Sequence, residues 1–265
     1  MTILVAFALA TGLALSQPKV RMGQTTTPQP PRPPRGEHLC PEMGVFDPFA
    51  TPLYSYVAQK LLDGVAAHRF AQMVVTSRIE HAIVIEFAEE CMVGPGSTQV
   101  TYAAARSSIF SALSAQIATA SQNRRVDADR MQTILANLSI PVDVTRAPID
   151  CASAAVLGGV WEAMLRGTRF DDTPRSGPHC SLLMDGTTSH FGAFNLGHQW
   201  MSGSTQSPEP QTPAGRLVAI GRALIDYVKA PLPDRERVKR EIMSQANSLL
   251  ADLHQVDGGT PQKTP

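Results

Sequence analysis

The chain has no excess charge of either sign: 23 Lys and Arg stand against 23 Asp and Glu. A neutral balance supplies no global field toward nucleic acid or an anionic membrane surface, so neither partner is expected. Aromatic residues make up only 6% of the chain. The signatures of chemistry are missing too. There is no G-x-S-x-G elbow, no G-x-G-x-x-G, no P-loop and no EF-hand loop. The cysteines form no C-x-x-C pair and no clustered Cys/His spacing of the kind that holds zinc. His81 follows Glu80, but neither H-E-x-x-H nor E-x-x-H occurs, and the acidic group Glu80, Glu86, Glu89 and Glu90 reads as a solvated helix face. No cofactor is implied, and the recognisable enzyme classes lose their usual support. No uninterrupted apolar run reaches the roughly 20 residues that a membrane helix needs.

What is present begins with the first residues. Ile3–Leu15 is apolar and rich in Ala and Leu, and Ala14-Leu15-Ser16 places small residues where a signal peptidase reads. Residues 1–16 are therefore read as a secretory signal, although Met1-Thr2 lacks the usual Lys or Arg. Residues 17–37 follow, with Thr25-Thr26-Thr27-Pro28-Gln29-Pro30-Pro31-Arg32-Pro33-Pro34 at their centre. That composition predicts an extended, disordered tether rather than a packed segment. The folded domain is expected over 38–254, with a disordered tail over 255–265. A periplasmic or secreted location follows from the signal, with no membrane span once it is removed.

Four cysteines, Cys40, Cys91, Cys151 and Cys180, fit such an exported chain as two disulfides. Three pairings are possible. Cys91–Cys151 or Cys151–Cys180 is favoured for one bridge, because pairing Cys40 with Cys91 requires the chain to double back along a long helix.

That helix is the organising expectation. No proline interrupts Leu53–Val93. Val57, Leu61 and Val65 fall on one helical line, and Val75, Ile79, Ile83 and Phe87 on another. The stretch is read as a central helix, or as two helices broken near Asp63-Gly64. Ile83-Val84-Ile85-Glu86-Phe87 is β-branched enough to form a short buried strand instead. Further helices are expected from Ser97 or Thr98 to about Gln122, from Asp127 through Leu138, and from Thr145 or Ala147 to Arg166 with Pro148 in the first turn. Gly167 is expected as a left-handed cap. Ala152, Ser153, Ala154, Ala155, Gly158 and Gly159 leave one helix side bare, so that a neighbouring backbone can approach. Two last helices start at Thr212-Pro213 and at Asp234.

Phe170–Thr212 breaks the helical pattern. Asp185-Gly186 suggests a hairpin pairing Cys180–Met184 with Thr187–Phe191. The predicted fold is thus mainly α: a compact bundle of about six helices with one small β-hairpin near residues 180–191. The functional expectation is a non-enzymatic protein that binds a partner protein or a small ligand through Phe170–Pro210, with His190, Phe194, His198 and Trp200 as candidate binding residues. Loops with such content tend to carry function. The alternative is a hydrolase or metalloenzyme around His179, His190 and His198.

Overall fold

A computed structural model describes residues 38–40, 51–63, 69–86, 88–120, 128–168, 187–195 and 199–257. All belong to one unit running from Pro33 to Pro265. Its centre is a six-stranded antiparallel sheet, which replaces the expected helical bundle. The strands are β1 (Arg69–Thr76), β2 (His81–Glu86), β3 (Ser97–Ala105), β4 (Val142–Asp150), β5 (Thr188–Asn195) and β6 (Gln199–Gln206), in spatial order β4-β3-β2-β1-β5-β6. The helices are α1 (Thr51–Leu62), α2 (Glu90–Val93), α3 (Ile109–Ala120), α4 (Ala128–Asn137), α5 (Cys151–Arg166), α6 (Pro213–Lys229) and α7 (Leu232–Asp257).

The long helix proposed over Leu53–Val93 ends at Leu62. Val57 and Leu61 are buried in α1 as the periodicity implies. Beyond it, the four-residue spacing of Val75, Ile79 and Ile83 is a coincidence of two strands and a turn. Val75 and Ile83 sit in β1 and β2, whereas Ile79 lies between them and is 45% exposed. Two packed strands bury both faces, so neither shows clean alternation, and a continuous apolar run mimics a helix.

Ser97–Ala105 was expected to open the helix running from Ser97 or Thr98 to about Gln122. It is β3, in register with both β2 and β4. Thr98, Val100, Thr101 and Tyr102 favour the pleated surface, and the alanines let helices lie close on it. Pro148 belongs to β4 rather than to a helix. β4 is an edge strand paired only with β3, so the missing proline N–H sacrifices no central ladder bond. Helix α5 starts three residues later. Asp150 caps it, accepting from Ser153 N at 2.8 Å and Ser153 Oγ at 2.9 Å. Gly167 closes α5 at φ −79°, so the expected left-handed cap is absent. The expected hairpin is overturned as well. Ser189 and Phe191 of β5 pair with Val75 and Met73 on one side and with Thr205 and Gly203 on the other. Both edges of β5 are taken by β1 and β6, and Cys180–Met184 lies outside the described residues.

Side chains alternate across the sheet and build two cores. Met73, Val75, Ile83, Ile85, Val100, Ala147, Ile149 and Phe191 face α5 and α6, with α7 packed outside that pair. Trp161 of α5 meets Phe191 edge-on at 5.9 Å and donates its Nε1–H to Gln72 O at 3.0 Å. The pairing of β1 with β2 shifts between Arg69 and Ala71, a bulge that includes Phe70. The Phe70 ring fills the space over Gly158, where a Cβ would come within 2.0 Å of it. An aromatic ring, not a backbone, therefore uses the bare side of α5. On the opposite sheet face, Val74, Ala82, Val84, Ala103 and Ala105 pack against Val57 and Leu61 of α1, Ile109 and Leu113 of α3, and Ile134 and Leu135 of α4.

Two devices close the sheet's ends. Cys40 exchanges backbone hydrogen bonds of 2.8 and 2.7 Å with Ser204, covering the outer edge of β6. Cys91 and Cys151 form a disulfide that ties α2 to the first turn of α5. Cys40 is also disulfide-bonded, and Cys180 is outside the described residues.

Candidate ligand-binding groove

Helix α6 begins at a close backbone approach. Thr212 caps it, accepting from Gly215 N at 3.2 Å and donating Oγ1–H to Glu209 O at 2.7 Å. A Cβ at Gly215 would lie 1.9 Å from Glu209 O, so only glycine lets the 208–212 turn press onto the helix. On the other side of that turn, Ser207 N donates to Thr187 O at 3.1 Å. Ser207 adopts φ 43°, the one left-handed non-glycine residue among those described. The turn is thereby held between the start of β5 and the start of α6.

Between these elements lies an open groove of about 440 Å³. Helix α6 supplies a stripe at helical spacing: Gly215, Val218, Ala219, Arg222, Ala223 and Asp226. Facing it are the hydroxyls of Thr187, Ser189 and Ser207 and the rings of Pro208 and Pro210, with Gln245 of α7 completing the wall. The volume falls in the range of small-molecule sites. Among the described residues, its charged lining groups are Arg222 and Asp226, and no histidine, cysteine or lysine lines it. Its hydroxyls, the Gln245 amide, the Arg222 guanidinium and the Asp226 carboxylate supply hydrogen-bond donors and acceptors.

The residues singled out from sequence lie elsewhere. His190, Phe194 and Trp200 share the opposite face of the β5–β6 pair, since side chains alternate along β5 and Phe194 is the register partner of Trp200. The Trp200 indole covers Gly192, where a Cβ would come within 2.3 Å of it. Phe194 and Trp200 are each 42% exposed. His190 Nε2 lies 3.4 Å from Thr76 Oγ1 of β1. His179 and His198 lie outside the described residues. Among the described residues, no three His, Cys, Asp or Glu side chains converge to hold a metal ion.

The supposed solvated acidic face is also dispersed. Glu80 is 0% exposed in the β1–β2 turn, where its carboxylate receives Ile109 N and Phe110 N, both at 2.9 Å, at the start of α3. Glu86 ends β2, accepting from Thr101 Oγ1 at 2.6 Å and lying 3.7 Å from Arg146 Nε. His81 opens β2. Burial lowers its pKa, opposed by a contact with Ile79 O and reinforced by the nearby cations Lys229 and Arg222 of α6.

The groove's pattern was available in the sequence only in part. Thr187, Ser189, Ser207, Pro208 and Pro210 fall within the Phe170–Pro210 region expected to bind. Arg222 and Asp226 lie outside the buried line of α6, Leu217, Ile220, Leu224 and Val228, which dominates that helix's pattern. The 215/218/222/226 spacing on another side of the same helix was the signal.

Fold and site together define a three-layer α/β/α protein, its sheet wholly antiparallel, with a polar groove beside α6. No family model matches the chain, and neither a curated protein nor a solved structure does.

Proposed function

We propose that this is an exported, non-enzymatic binding protein of the cell envelope or extracellular space, which takes a small polar ligand in the α6 groove. The groove carries the reading: a cavity of small-ligand size whose described walls combine hydroxyls, an amide, two opposite charges and small apolar patches. Export is supported by the apolar Ile3–Leu15 run with its cleavage pattern, and by the Cys91–Cys151 bridge, since disulfides persist in oxidising compartments. Among the described residues no helix is long and apolar enough to cross a membrane.

The test is a nitrogen–proton correlation spectrum of the mature protein titrated with a panel of small polar compounds. Saturable shifts confined to Thr187, Ser189, Ser207 and the 215–226 stripe are expected. A panel that leaves those resonances unmoved defeats the binding reading. N-terminal sequencing of the exported protein is expected to begin at Gln17.

A further inference from the structure

We infer that the groove selects a zwitterion: a free α-amino acid, or a peptide of two or three residues carrying both terminal charges. The inference rests on the groove being a binding site. It goes further through the two charged groups, Arg222 and Asp226, which line the groove one helical turn apart.

Several surface cations elsewhere in the protein have carboxylate partners. Arg106 pairs with Asp143, Arg146 with Glu86, Arg166 with Glu162, Arg216 with Asp252, Arg237 with Glu241, and Lys239 with both Asp150 and Glu236. Arg222 and Asp226 sit at the same i,i+4 spacing as two of these pairs, yet no ion pair forms between them or from either to another described residue. A guanidinium and a carboxylate are thus presented to the same cavity with their hydrogen-bonding capacity unspent on each other. A guanidinium grips a carboxylate through parallel N–H donors, and a carboxylate accepts from an ammonium. A ligand with both groups on adjacent atoms satisfies the two at once. One with a single charge leaves the other protein group facing water, as it is now.

The remaining lining suits such a ligand. Thr187, Ser189, Ser207 and Gln245 offer hydrogen bonds to the ammonium and carboxylate edges, while Val218, Ala219, Ala223, Pro208 and Pro210 provide an apolar surface for a small side chain. A cavity of about 440 Å³ has room for one or two amino-acid units and not for an extended chain.

The experiment is calorimetric titration of the full mature protein with glycine, alanine, leucine and dialanine, beside the one-charge analogues propylamine and propionate and the neutral polyol glycerol. The zwitterions are expected to bind at least tenfold more tightly than either analogue. Arg222→Gln is expected to weaken alanine about tenfold and leave propylamine unchanged. Asp226→Asn should do the converse, weakening alanine and leaving propionate unchanged. Both side chains are exposed, so folding of the variants, read by melting temperature, should match the parent. Equal affinity for zwitterion and one-charge analogue, or indifference of alanine to both substitutions, overturns the inference. If glycerol or propionate moves the groove resonances and the amino acids do not, the zwitterion assignment falls while the groove survives as a binding site. If no compound moves them, both fall.

Discussion

Glu80 offers a sharp test of how the sheet and the α3 layer are joined. Its carboxylate sits in the β1–β2 turn without solvent exposure and receives Ser108 Oγ at 3.0 Å, Phe110 N at 2.9 Å and Ile109 N at 2.9 Å. A residue almost thirty positions away thus caps the helix. The carboxylate satisfies two of its orphan N–H groups and places negative charge at the positive end of its dipole. Glu80→Ala strands the buried Ile109 N–H, at about 1–3 kcal/mol. Loss of the charge at the helix end adds up to about 2 kcal/mol. The emptied methylene space adds about 1 kcal/mol. Phe110 N–H lies beside an exposed residue, so water can replace its partner. The expected loss is about 3–5 kcal/mol. Glu80→Gln keeps the volume but turns an NH2 toward an N–H donor, and should cost about 2–3 kcal/mol. Equilibrium urea unfolding, followed by tryptophan fluorescence and far-ultraviolet dichroism with an unchanged denaturant slope, measures both. Losses below about 1 kcal/mol for both variants would refute the argument, since a buried acceptor of three hydrogen bonds cannot be removed so cheaply.

Other perturbations reach the groove and the ties of the sheet. Gly215→Ala must displace the backbone of Glu209, which lies 1.9 Å from the new Cβ. A loss of about 1–3 kcal/mol and a changed groove spectrum are expected, and an unshifted melting temperature would contradict the close approach. Replacing Cys91 and Cys151 together by alanine opens a link across a separation of 60 residues. Chain entropy sets the expected loss near about 4 kcal/mol, checked by urea unfolding. Asp150 is partly buried, which alone would raise its pKa. The hydrogen bonds from Ser153 and Lys239 outweigh that and hold it below the ordinary 3.8. Its contribution is therefore complete above that unfolded value and is lost as pH falls through the lower folded one. Melting curves of the parent and Asp150→Asn should differ at neutral pH and converge in strong acid; a constant difference across that window would show that the charge is not responsible.

How far the fold was legible depended on whether an element is stabilised locally. The last helices were: Thr212-Pro213 caps α6 from within its own sequence, and the buried line of Leu217, Ile220, Leu224 and Val228 is one α6 must hide. Helix α4 was legible for the same reason, its apolar residues Ile134, Leu135 and Leu138 turned inward together. Arg237 and Glu241 pair across one turn at 2.9 Å, and Glu236 pairs with Lys239 at 2.9 Å.

Two strands did carry a local signal, the β-branched Ile83–Glu86 run in β2 and the Thr188–Phe191 segment in β5; β3 and β4 had no such local signature. Ser97–Ala105 and Val142–Asp150 become strands because each finds the other in a nine-residue register, a contact made across 37 to 53 positions of chain. Alanine is a good helix former in isolation, and Pro148 suits a helix's first turn as well as a sheet's edge, so local propensity pointed the wrong way until tertiary pairing decided. Glu80 and Arg222 teach the same lesson for polar groups. The identity of each side chain was plain from the start. Whether it met water, a helix terminus or a cavity was set by which distant segment the sheet brought against it, because hydrogen bonding and burial are properties of neighbours in space rather than in sequence.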